Sequence, residues 1–263
     1  MSKKILIAIS HYGDLKDYMV EPFTNWLRKE VEPIEGVEIM VYGDRPLADF
    51  PFHPVEVGGN GWADDVIWAT HEAALETARN YNFDAVVFQG TDLITTKPGD
   101  YKTFLGYAGG PFDIIAPVQM GRKEPLYPVV REWEKKRIWV ADGYGENDIF
   151  YTSSRQKDIS AAFLKSRTST GIVKCGFPGT EMCLINKQCF HIPIAHPDYK
   201  FWYNSGPEHY LCVHEHFMLI AARSGFQAWV DTHIETAHCD DSGMAAISLK
   251  NPVPNEEVFK IWR

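Results

Sequence analysis

Three short stretches of the chain carry side chains that could do chemistry. The first ends in Asp92, which follows the apolar run Val86-Val87-Phe88 after Gln89, Gly90 and Thr91. Open α/β sheets bind ligands just outside the carboxyl ends of their strands. A carboxylate there can hold a hard Mg2+ or Mn2+ ion bridged to phosphate oxygens. Asp92 would serve equally well as a turn residue before the next helix. The second stretch is His214-Glu215-His216. Glu and His both accept protons near neutral pH. As a zinc pair the two histidines are badly spaced, because positions i and i+2 do not share a helix face. The third is His238-Cys239-Asp240-Asp241, a run of metal-ligand types, with a surface-loop histidine as the alternative.

The elements that must position these residues read as alternating strands and helices. Residues 5–10 are a short apolar run, as in a strand buried on both faces. A helix is expected over 15–31, with Pro22 a point where it could split. A second strand follows at 37–42, then a long loop over 46–61 rich in Pro and Gly. The loop's Gly58-Gly59-Asn60-Gly61 precedes an amphipathic helix over 62–81. That turn lacks the residues of a phosphate-binding loop, and Asp64 and Asp65 would repel phosphate. A third strand is expected at 84–88, a short helix at 98–107 with Pro98 as its first residue, and a strand within 112–120. The order predicts βαβ units and a mostly parallel sheet with helices on both faces.

Beyond this point the pattern is irregular. Residues 122–139 could hold an antiparallel strand pair, and 141–148 is rich in Gly and Asp. A strand is expected at 180–185, a helix at 211–224 closed by Gly225, and a last strand at 227–231. The chain reads as one domain over 1–263.

Composition excludes several classes. The formal net charge of −9 disfavours general nucleic-acid binding, which needs an excess of Lys and Arg. Lys135-Lys136-Arg137 and the looser set Arg155, Lys157, Lys165 and Arg167 read as solvated surface. Five cysteines with no C-x-x-C spacing show no disulfide framework, so a reducing, cytoplasmic setting is expected. No apolar run is long enough for a membrane span.

Four blocks carry a resemblance. Val86-Val87-Phe88-Gln89-Gly90-Thr91-Asp92 resembles the Asp-x-Asp strand end of GT-A fold, family-2-like glycosyltransferases, with Gly90 in place of the first acid. Phe112-Asp113-Ile114-Ile115-Ala116-Pro117-Val118 is similar to the strand after their short helix. Gly179-Thr180-Glu181-Met182-Cys183-Leu184-Ile185 is similar to the strand beside their acceptor site. Residues 217–226, then Ala228-Trp229-Val230-Asp231-Thr232 and His238, resemble their last helix, strand and metal-binding histidine.

The resemblance implies a Rossmann-like domain. Its nucleotide-binding half would be 1–120 and its acceptor half 121–263. It implies a transfer of sugar from a nucleoside diphosphate donor to an acceptor hydroxyl, assisted by Mn2+ or Mg2+. Asp92 and His238 would be the metal ligands. Ser10, Tyr12, Asp44, Gln89 and Gly90 would line the nucleotide. Glu215, or His214 at the aligned position, would be the catalytic base. Trp133, Trp139, Trp202 and Trp229 are candidate sugar-stacking or core residues. Two other classes stay open: a GT-A-like binding or assembly module without catalysis, and a nucleotidyltransferase. The second lacks the Gly-rich, basic signature after the first strand.

Overall fold

The computed structural model describes residues 3–12, 17–56, 63–121, 129–130, 133–135, 150–152, 171–194, 213–247 and 252–262. One large mixed sheet forms the centre. Its main path runs β3 (Phe52–Pro54), β2 (Val37–Gly43), β1 (Ile5–His11), β4 (Ala85–Gln89), β10 (Met182–Asn186), β6 (Ile114–Val118) and β11 (Ala228–Cys239). It ends at β12 (Met244–Ile247) and β13 (Val253–Pro254). Of the first seven, only β10 runs against the rest; β1 pairs parallel with β2 and β4, and β11 with β6. The central sheet is therefore mostly parallel, as the strand–helix alternation implies. Two short strands pair antiparallel with β11: β9 (Ile172–Cys175) with its first half and β5 (Leu93–Thr95) with its last residues. β7 (Trp133–Lys135) and β8 (Phe150–Thr152) pair antiparallel as a separate two-stranded sheet.

Alternation along the strands builds two cores. Leu6, Ala8, Val86 and Phe88 face Ala74, Leu75 and Ala78 of α2 (Ala63–Asn80) and Phe217, Met218 and Ala221 of a later helix, Val213–Arg223. On the other face, Ile5, Ile7, Ile9 and Val87 meet Met19, Phe23 and Trp26 of α1 (Asp17–Trp26). The same face takes Tyr101 and Phe104 of α3 (Asp100–Leu105). The Val213–Arg223 helix is α4, and α5 (Asn255–Phe259) closes the second core with Val258 and Phe259. Helices thus cover both faces. No helix among the described residues is long and apolar enough to cross a membrane.

Several expectations need correction. Pro22 does not split the first helix; α1 runs through it and continues as a π-helical turn over Leu27–Val31. Buried Met19, Phe23 and Trp26 hold the helix on either side of the one lost donor. The loop over 46–61 contains β3, an edge strand too short to show a period. Pro98 lies before α3, whose cap is Gly99 at φ 87. The free amides of that end go to Glu30, whose Oε1 accepts from the N–H groups of Gly99 at 2.8 Å and Tyr101 at 3.1 Å. The strand expected at 227–231 is neither so short nor the last. It runs on to Cys239, with a register shift between Asp231 and Glu235. The polar run Thr232-His233 hides this continuation, because the strand passes between partners there. The turn at 58–61, the stretch 141–148, Lys136, Arg137, Trp139, Trp202, Cys212 and the basic set at 155–167 lie outside the described residues.

Candidate functional site

The site forms where β4, β6 and β11 end and the antiparallel β10 begins. After β4 the chain turns through Gly90-Thr91-Asp92 into β5, and β5 pairs with the end of β11, placing Leu93 opposite His238. The Cys239 amide also donates to the Asp92 carbonyl at 2.9 Å. This ladder brings Asp92 and His238 together: Nε2 of His238 lies 3.3 Å from Oδ2 of Asp92. Asp92 is 0% and His238 7% exposed, so the pair sits at the floor of the strand ends rather than on a loop.

The tautomer of His238 follows from its other nitrogen. Nδ1 stands 2.6 Å from the carbonyl oxygen of Met120. A carbonyl only accepts, so Nδ1 carries the proton, and in the neutral ring Nε2 keeps a lone pair. Among the described residues Nε2 makes no hydrogen bond in spite of the nearby carboxylate, which must lie well off the ring's in-plane direction. A ligating histidine is commonly held this way, with its other N–H given to a carbonyl.

Gln119, 2% exposed, links this pair to β10. Its Nε2 donates to the Met182 carbonyl at 3.1 Å, and its Oε1 accepts from the Glu181 amide at 3.2 Å. Thr236 donates to the Val118 carbonyl at 2.7 Å. The end of β6 therefore clamps Glu181 on one side and β11 with His238 on the other. The Gly90 amide donates to the Glu181 carbonyl at 2.5 Å. A Cβ on Gly90 would collide with Oε2 of Glu181 and would stand 3.3 Å from Oδ1 of Asp92.

One carboxylate and one imidazole nitrogen could serve as donors to a hard cation here. Mg2+ and ions like it commonly take only one or two carboxylates from the protein and fill the rest with phosphate and water oxygens. The nitrogen donor suits Mn2+ better than Mg2+. Among the described residues, no group of three or more His, Cys, Asp or Glu side chains is arranged to hold a metal ion.

The other expected residues fall in two places. Gln89 is buried, and its amide is committed within the protein. Nε2 donates to the carbonyls of Gly90 and Leu93, both at 2.8 Å, and Oε1 accepts from the Tyr101 hydroxyl at 3.3 Å. Gln89 thus shapes the turn that presents Asp92. Ser10 reaches α2, with Oγ 3.0 Å from Oγ1 of Thr70. Thr70 donates its own proton to the Ile67 carbonyl, so Ser10 is the donor between the two hydroxyls. Tyr12 is half-buried just past β1, and Asp44 lies exposed after β2, 3.6 Å from the Arg45 guanidinium. Gly43 between these edges has no room for a side chain, since a Cβ would run into the His11 carbonyl.

The base candidates open α4. Glu215 and His216 are buried at 6% and 5%, while His214 is half-buried. His214 stacks on His71 of α2 with ring centroids 5.3 Å apart, and His71 lies flat on Phe88 at 3.8 Å. Burial first, and repulsion from His214 second, hold the His71 imidazole well below its ordinary 6.5. A neutral ring therefore backs the start of α4.

Sequence reasoning did not single out Glu181, Gln119 or His71. Glu181 stands within the quoted Gly179-Thr180-Glu181 block, but its place opposite Gly90 depends on the antiparallel register of β10 against β4. Gln119 and His71 carry no local signal.

The fold and the strand-end pair define the class: a mostly parallel α/β domain with a carboxylate and an imidazole where such sheets bind ligands. The chain is similar in structure to A197 from STIV, at TM-score 0.46 and 10% identity over 94% of each chain. It is also similar to the mannosyltransferase PcManGT from Pyrobaculum calidifontis, in complex with GDP-Man and Mn2+. There the TM-score is 0.45 and the identity 11%, over 87% of this chain and 56% of that one. No protein-family model matches the chain, and no curated protein sequence does. The fold assignment accordingly stands on the sheet's own topology.

Proposed function

We propose that the protein is a glycosyltransferase that moves a sugar from a nucleoside diphosphate donor to an acceptor hydroxyl, with Mn2+ or Mg2+ bound at Asp92 and His238. The observation that carries this proposal is the 3.3 Å approach of His238 Nε2 to Asp92 Oδ2, buried at the strand ends. Asp92 offers carboxylate oxygen, and His238, fixed by the Met120 carbonyl, offers a nitrogen lone pair. A divalent cation held there would neutralise charge on the diphosphate leaving group. Ser10, Tyr12 and Asp44, at the ends of β1 and β2, would face the nucleoside, with Gly90 beside the phosphates. Glu215 would take the proton of the acceptor hydroxyl, with His214 as its competitor for that role. The nucleotide would then lie against residues 1–120 and the acceptor against 121–263.

The test is a thermal-shift panel of nucleoside diphosphates and their sugars, with and without Mn2+. A ligand that binds the folded state raises the melting temperature by mass action. The proposal expects a Mn2+-dependent rise for at least one nucleoside diphosphate, lost in Asp92→Asn. Binding without turnover of any donor would support a non-catalytic binding role instead. No shift with any nucleotide would refute both.

A further inference from the structure

The resemblance in the sequence leaves one acid missing, at Gly90, and the structure places the Glu181 carboxylate beside that glycine. Gly90 is not among the left-handed glycines, so its backbone would accept a side chain. What a side chain there would meet is the end of the Glu181 side chain, whose Oε2 lies within collision distance of the Cβ position. The same point is 3.3 Å from Oδ1 of Asp92. Glu181 is also held at its backbone: its N–H bonds to Gln119, and its carbonyl accepts the Gly90 amide.

Resting on the cation-dependent reading above, we infer that Glu181 supplies the acid that Gly90 lacks, so that the cation site is Asp92, His238 and a carboxylate delivered across the β4–β10 pair. Two carboxylates brought onto one point would repel each other unless a cation lay between them. The lone pair of His238 Nε2 is the independent pointer to such an ion. It is a buried polar atom with no hydrogen bond among the described residues, 3.3 Å from the Asp92 carboxylate. Glu181 is half-buried and unbranched, so a rotamer change can bring its oxygens onto an ion that Asp92 and His238 already hold.

The experiment measures Mn2+ binding to the full chain by the EPR signal of the free ion. Mn2+ is titrated alone and then with a nucleoside diphosphate. Glu181→Gln keeps size and removes charge, and should weaken Mn2+ about tenfold or more. The exchange Gly90→Asp with Glu181→Gly returns the acid to its neighbour and should recover most of that loss. Near-UV circular dichroism confirms that each variant is folded. Wild-type affinity in Glu181→Gln, with the affinity lost in Asp92→Asn, would overturn the role of Glu181 and leave the proposed function standing. A folded double variant that recovers nothing would also overturn it. Absence of Mn2+ binding in the wild-type chain, with or without nucleotide, would overturn both.

Discussion

Two polar clusters of the molecule are built in opposite ways. Asp92, Glu181 and His238 come from three distant parts of the chain. Each is fixed by backbone or by a buried amide: His238 by the Met120 carbonyl, Glu181 by Gln119, and Asp92 by the Cys239 amide that its carbonyl accepts, just before the β5–β11 ladder. His214, Glu215 and His216 are consecutive, yet helix geometry sends them in different directions, and what holds His214 is ring stacking on α2. Under the proposed function, neighbours in sequence would offer a choice of bases, whereas neighbours in space would offer donors to a cation. A cation needs several donors converging on one point; a proton needs only one well-placed group.

The largest expected effect separates these roles. Glu215→Gln should lower sugar transfer by roughly 10² or more while donor binding, read by thermal shift, survives. If transfer is unchanged and His214→Asn abolishes it, the base is His214 and the division within α4 must be redrawn.

A smaller effect is expected from the buttress of the strand-end cluster. Gln119→Leu leaves the Glu181 amide and the Met182 carbonyl without their side-chain partner, at a cost of about 1–3 kcal/mol in chemical denaturation. It should also weaken Mn2+ binding. A stability loss with Mn2+ affinity untouched would show that Gln119 supports the fold alone.

The smallest effect concerns the other cluster. As pH falls through 6.5 the unfolded chain protonates His71, while the folded chain resists because the ring is buried beside His214. Stability, whole above that pH, is therefore lost below it. Burial of His11 adds a contribution of the same sign. The melting temperature should fall from about pH 7 to about pH 5, and less steeply in His71→Phe. An identical slope in the two proteins would remove His71 from the explanation.

The sequence was most legible where one physical signal governs. The apolar runs of β1 and β4 are buried on both faces, so they read as strands without a period, and they pair in parallel as alternation with helices implies. Asp92 was legible because it ends such a run. His238 was visible as a residue type but not as part of a strand, since β11 changes partners across Asp231–Glu235 and its polar residues look like a connector. The place of Glu181 opposite Gly90 could not be read from the sequence, because register between distant strands leaves no local mark there. The Glu30 cap on α3 escaped for the same reason, since the acceptor comes from another helical segment rather than from the residue before the helix.

The central claim is that Asp92 and His238 hold one divalent cation against a nucleoside diphosphate. The direct measurement is the EPR signal of free Mn2+ during titration with protein and nucleoside diphosphate, in the wild-type chain, Asp92→Asn and His238→Ala. The account predicts that the wild-type ternary mixture quenches the free-ion signal beyond what protein or nucleotide does alone, and that each substitution by itself abolishes this excess in a folded chain. An excess that persists in both variants would contradict it.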